Sequence, residues 1–127
     1  MMSKEKFQIE FSIKSTEKLL FNRLSTAGGL HEWFAENVKV NGKVFTFEWD
    51  GTEQEAEMIH KKDLKFVRFH WLDDEDEKSY FEFKINMDEL TGELALIVTD
   101  FAESDEVEDA KELWESQIAE LKHVLGS

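Results

Sequence analysis

The sequence contains no cysteine and no proline. Without cysteine there is no disulfide scaffold, no thiol nucleophile and no thiolate metal site, so the fold must rest on a buried core. Without proline no turn relies on a fixed φ and no cis-proline step slows folding, which leaves Gly, Asn, Asp and Ser to supply the punctuation. Long apolar runs are also missing: nothing approaches the roughly 18 residues of a membrane span. The opening Met1-Met2-Ser3-Lys4-Glu5-Lys6 lacks the apolar centre of a secretory signal. The expectation is a soluble, cytoplasmic protein. Positive charge is scarce too, with 15 Lys and Arg against 29 Asp and Glu and a formal net charge of −14. Phosphate backbones and anionic headgroups need clustered cations, so nucleic acid and stable membrane association are not expected, and a protein partner, if the chain has one, would be basic.

What the chain has in quantity is aromatic surface: 11 Phe and 4 Trp within 127 residues, 41% apolar overall. A chain of this length forms one domain, residues 1–127, burying roughly two-thirds of its unfolded surface. Phe7 to Ile13 alternates apolar and polar, the period of a strand with one buried face. Ser15 or Thr16 then offers an N-cap to a short helix carrying Leu19, Leu20 and Leu24, ending near Gly28-Gly29. A second short helix is expected over Leu30-His31-Glu32-Trp33-Phe34, with its aromatics turned inward.

From Asn37 hairpins follow in series. Asn41-Gly42 and Asp50-Gly51 are strong two-residue hairpin signals on either side of a strand carrying Phe45, Phe47 and Trp49. With Asp50-Gly51 as the whole loop, Trp49 faces Thr52, Phe47 faces Gln54 and Phe45 faces Ala56, which leaves room beside the large rings. A turn around Lys62-Asp63 would set Ala56 opposite Phe69 and Glu57 opposite Arg68. After a solvated acidic connection from Asp73 to Lys78, Phe81, Phe83, Ile85 and Met87 alternate with polar residues. A loop from Glu89 to Gly92 then pairs Met87 with Leu94, Ile85 with Leu96 and Phe83 with Val98. A helix is expected from Asp105 to Leu125, about 30 Å long, opened by Ser104 or by an Asp105/Glu108 capping box. Its apolar stripe is Val107, Ala110, Trp114, Ile118, Leu121 and Leu125, joined by Leu113 and Val124.

This order of elements resembles the helix-grip fold of the START-like, or SRPBCC, superfamily. Leu30-His31-Glu32-Trp33-Phe34, Gly42 to Phe47, Phe69-His70-Trp71, Leu96 to Phe101 and Trp114 to Leu121 are similar to the branch named for homologues of the heat-shock-protein ATPase activator. Family members often carry a proline before the first helix and a glycine before the helix Trp, where this chain has Ser15-Thr16 and Leu113. The resemblance implies an α+β fold: a curved antiparallel sheet of six to seven strands around a long C-terminal helix, with two short helices after the first strand. It also implies an apolar cavity between sheet and helix that relatives use for lipids and other hydrophobic molecules. It implies no particular reaction, because the fold hosts carriers, cyclases and co-chaperones alike.

The cavity-lining candidates from the first part of the chain are Trp33, Phe34, Phe45, Phe47, Trp49, Gln54 and Met58. Phe69, Trp71, Phe81, Phe83, Trp114 and Ile118 complete them, with core packing as the alternative for each ring. Gln54 is the polar inner position able to orient a ligand carbonyl or hydroxyl, or else an exposed residue at the mouth. Arg68 and His70 fall on the outer face, Arg68 between Glu57 and Glu82 and His70 near Glu55 and Tyr80, so neither belongs to a catalytic dyad. His31, His60 and His123 lack metal-ligand spacing, and no cofactor is expected. The alternation that buries Leu94, Leu96 and Val98 also turns Asp100 inward unless the strand ends first. The functional expectation is a non-enzymatic domain for a small hydrophobic molecule or lipid. A co-chaperone or adaptor and a cyclase- or hydrolase-like enzyme are the alternatives.

Overall fold

A computed structural model describes residues 4–126. Met1, Met2 and Ser3, part of the N-terminal segment considered above, and Ser127 lie outside the described residues. The elements run β1 (Lys4–Ile13), α1 (Glu17–Ser25), α2 (Ala27–His31), β2 (Asn37–Asn41), β3 (Val44–Trp49), β4 (Thr52–Lys62), β5 (Phe66–Trp71), β6 (Phe81–Met87), β7 (Leu94–Glu103) and α3 (Val107–Leu125). The strands form one antiparallel seven-stranded sheet in the order β1-β7-β6-β5-β4-β3-β2. β2 to β7 are a meander, and β1 closes the far side by pairing with β7. The apolar stripe of α3 buries Trp114, Ile118 and Leu121 in the α+β helix-grip arrangement. No described helix is long and apolar enough to cross a membrane.

The Asp50-Gly51 turn sets the register read from the sequence: Trp49 opposite Thr52, Phe47 opposite Gln54, Phe45 opposite Ala56. Asp50 at φ 49° and Gly51 at φ 79° are both left-handed, as a type I′ turn requires. The pairs Met87–Leu94, Ile85–Leu96 and Phe83–Val98 also hold.

Several boundaries and registers differ from the sequence expectation. At the first hairpin the loop is Gly42-Lys43, with Asn41 paired to Val44; Gly42 takes the left-handed φ of 63° at the first central position, which suits a II′-like turn. Gly28 and Gly29 do not end α1 but lie within α2, which starts at Ala27 rather than Leu30. Thr26 serves both helices: its hydroxyl donates to Asn22 O at 2.9 Å and accepts from Gly29 N at 2.9 Å. Gly29 is there for close approach, because a Cβ would stand 2.2 Å from Asn22 O. Trp33 and Phe34 follow α2 in a turn and are buried, as expected.

The β4–β5 pairing is shifted by two residues from the expected one. Ala56 faces Trp71, Glu57 faces His70 and Met58 faces Phe69, and an irregularity between Met58 and His60 sets His60 opposite Arg68. On the turn side of that irregularity the displacement is three, because the loop is Asp63-Leu64-Lys65 with Leu64 at φ 63°; the irregularity brings it back to two from Met58 to Ala56, so the inward residues there stay inward. Residue Glu106, not Ser104 or Asp105, occupies the N-cap of α3, and it makes no side-chain cap hydrogen bond. Leu113 is not part of the buried stripe but 62% exposed.

Candidate functional site

Most of the inward aromatics pack on one another. Phe47, Phe69, Phe81 and Phe83 are essentially without solvent exposure. Ring centroids lie 5.0 Å apart for Phe69–Phe81, 5.4 Å for Phe45–Phe69 and 5.8 Å for Phe81–Phe83, distances of favourable aromatic pairing. Trp33 joins from below at 5.6 Å from Phe83, and Ile118 of α3 seals the cluster. The small partner Ala56 does not leave a hollow beside Phe45. The shifted β4–β5 register puts Trp71 next to it, and that ring lies 5.8 Å from Phe47. Met58 packs at the margin of the same core.

A hollow survives further along, where β3, β4 and β5 meet the first turns of α3. This cleft, about 430 Å³, is lined by Phe34, Trp49, Gln54, Trp71, Asp100, Ala110, Leu113, Trp114 and Gln117. Five of the sequence candidates therefore border it: Phe34, Trp49, Gln54, Trp71 and Trp114. Trp33, Phe45, Phe47, Met58, Phe69, Phe81, Phe83 and Ile118 do not. Ala110 and Leu113 entered the sequence reading only as core stripe, and Gln117 only as part of the Trp114 to Leu121 motif. The signal for them was helical spacing, since 110, 113, 114 and 117 form one face of α3.

The rings are braced by hydrogen bonds. The Trp49 indole donates to Phe34 O at 2.8 Å, and Phe34 stacks on Trp114 with centroids 6.0 Å apart. Trp114 in turn donates to Asp100 Oδ2 at 2.9 Å, while the Phe101 amide donates to Oδ1 at 2.7 Å. Asp100 thus faces inward, because β7 continues to Glu103 instead of ending before it. Burial pushes the Asp100 carboxyl up to about 6, although these two donors and the charge of Lys4 favour its ionised form.

The remaining polar groups point elsewhere. Arg68 binds Glu82 at 2.9 Å and lies 3.9 Å from the centre of the Tyr80 ring, on the outer face. Its cross-strand neighbour on β4 is His60, not Glu57. His70 Nδ1 is 2.8 Å from Ser79 O, and Glu57 rather than Glu55 is its cross-strand neighbour. A larger depression of about 620 Å³ shares the exposed Gln54 with the cleft and is otherwise bordered by Lys39, Thr46, Glu53, Glu55, Leu72 and Asp73; its mostly charged and polar rim makes it a solvated groove rather than an apolar site. No metal-ligating cluster occurs among the described residues.

Known proteins place this geometry in context. A family model for the START-like superfamily domain matches residues 1–127. A Bacteroides fragilis protein solved by solution NMR is 43% identical, with 97% of this chain and 92% of that one covered at a TM-score of 0.71. The Aha1 dimer from Colwellia psychrerythraea is similar in fold at 17% identity, with 95% and 96% covered and a TM-score of 0.81. MLL2253 from Mesorhizobium loti is similar at 17% identity, with 96% and 97% covered and a TM-score of 0.78. No curated protein matches the sequence. With the family model spanning the whole chain and the helix-grip topology shared by these structures, the chain belongs to the START-like superfamily.

Proposed function

We propose that this domain binds a small hydrophobic molecule without transforming it, holding the molecule between the sheet and the N-terminal half of α3. The observation that carries this reading is the cleft of about 430 Å³ walled by Phe34, Trp49, Trp71 and Trp114. Its size and its aromatic walls with few polar groups are those of ligand sites, which span roughly 300–1,000 Å³. The packed Phe core behind it fixes the walls, and Gln54 and Gln117 supply amides at its edge. The non-catalytic part of the proposal rests on the polar groups. Asp100 is bonded to an indole and a backbone amide, and His70 and Arg68 are engaged on the other face of the sheet.

The test is binding of the neutral dye N-phenyl-1-naphthylamine, together with native mass spectrometry of protein from its own host. Ala110→Phe fills the cleft and should abolish dye binding while circular dichroism and Tm stay near those of wild type. Dye binding unaffected in a folded Ala110→Phe variant would place the ligand elsewhere. Co-purification of a stoichiometric protein with an empty cleft would favour an adaptor.

A further inference from the structure

We infer that the molecule taken by the cleft is a hydrophobic cation, an amine or alkylated ammonium on an apolar body, seated among the Trp49, Trp71 and Trp114 rings beside the Asp100 carboxylate. The inference rests on the reading of the cleft as a ligand site and adds the charge of the ligand to it. Three of the chain's 4 tryptophans border the cleft. Indole faces carry negative potential and attract cations more strongly than any other side-chain ring. The N–H groups that would draw an acceptor are already used for Trp49 and Trp114, on Phe34 O and Asp100. What these two rings have left to offer a guest is their π surface.

Asp100 is the single ionisable side chain among the described residues that line the cleft. Each of its oxygens accepts one hydrogen bond, from Trp114 and from the Phe101 amide, and both donors are neutral. A carboxylate has about four acceptor positions, so capacity remains for a cationic donor. The charged groups acting on it are Lys4 from β1 and Asp74 from the β5–β6 connection. They largely cancel, since Lys4 Nζ is bound to Asp74 Oδ2 at 2.7 Å. From α3 the facing residues are Ala110, Leu113, Trp114 and Gln117, which bring no charge.

The consequences for ligand choice follow from desolvation. A neutral guest would strip water from Asp100 and return nothing, an anion would meet it with like charge, and a cation would compensate it. The net charge of −14 acts in the same sense at longer range, concentrating cations and repelling fatty-acid carboxylates and phosphates.

Benzyltrimethylammonium and neopentylbenzene test this directly, since they share a shape and differ by N⁺ for carbon. Tryptophan fluorescence and amide chemical shifts report binding. At about pH 7.5 the cation should bind on the order of tenfold more tightly than the isostere. That preference should fall toward parity at about pH 4.5, where Asp100 holds its proton: the cation loses its partner and the isostere binds somewhat more tightly, since a neutral carboxyl is less costly to desolvate. Asp100→Asn should show parity at both pH values; the wild-type pH series gives the same decision if that variant does not fold. Equal or weaker binding of the cation at the higher pH, with the isostere bound, overturns the inference and leaves the cleft reading standing. Binding of neither compound overturns both.

Discussion

Trp114 on α3 donates its indole N–H to Asp100 on β7 at 2.9 Å, joining the C-terminal helix to the sheet through a carboxyl that faces the apolar interior. This contact fixes a wall of the cleft and leaves the one ionisable group there poorly solvated. It therefore links the stability of the fold to the electrostatics of the site.

Asp100 makes stability fall as pH rises. In the folded chain burial holds its carboxyl up to about 6, whereas in the unfolded chain it ionises near the ordinary Asp value of about 3.9. Between these values the folded state binds more protons than the unfolded state, so the contribution is fully present below the lower value and lost above the higher. Linkage gives about 2–3 kcal/mol for the whole window. Relative to Asp100→Asn, wild type should therefore lose about that much stability between pH 4 and pH 7 in paired urea titrations. A difference independent of pH would show that Asp100 is not held in this state.

Phe47 and Leu113 should respond very unequally to truncation. Phe47 is fully buried and its ring lies 4.9 Å from Phe34 and 6.1 Å from Phe45. Phe47→Ala should cost about 3–5 kcal/mol in urea unfolding. Leu113 is 62% exposed at the cleft rim, so Leu113→Ala should stay within about 0.5 kcal/mol.

Adjacent glycines in α2 offer a sharper contrast. A Cβ at Gly28 meets nothing within 4 Å, so Gly28→Ala should stabilise by about 0.4–1 kcal/mol through the unfolded chain. At Gly29 the added carbon would lie 2.7 Å from Arg23 Cα as well as against Asn22 O. Gly29→Ala should cost about 3 kcal/mol, read as a fall in Tm against a rise for its neighbour.

Asp74 ties the β5–β6 connection to β1. Burial raises its carboxyl, but hydrogen bonds from Lys4, Ser79 and the Asp76 amide prevail and hold it below the usual range. Asp74→Ala should cost about 1–2 kcal/mol at neutral pH. A depressed carboxyl contributes stability above its unfolded value and loses it as pH falls through the folded one, so this cost should fade in acid. Hydrogen exchange at Ser79 and Tyr80 reports the same loosening locally.

How far the sequence reaches is visible at particular residues. The Asp50-Gly51 register and the β6–β7 pairs were legible because a two-residue turn fixes which residues face each other, and strict alternation fixes which face is buried. The Gly28-Gly29 pair misled, since glycine marks a helix end and a close helix contact equally well, and only the position of α1 distinguishes them. The β4–β5 register slipped because the loop closes over Asp63 to Lys65 with Leu64 left-handed, where no Gly or Asn marks it, and the irregularity after Met58 has no signature in side-chain type either. The cap of α3 likewise uses Glu106 without its side chain, where Ser and Asp stood nearby.

The sequence by itself determined the strands, the aromatic inner face and the amphipathic C-terminal helix, because each follows from periodicity and turn chemistry over a few residues, and it carried the START-like arrangement through resemblance to that family. Only the tertiary structure decided where the interior is full and where it is open. The β4–β5 register set Trp71 beside Ala56, and β7 ran far enough to carry Asp100 to Trp114. A hollow is the difference between the volume enclosed by distant elements and the side chains that fill it, and no local stretch of sequence contains both quantities.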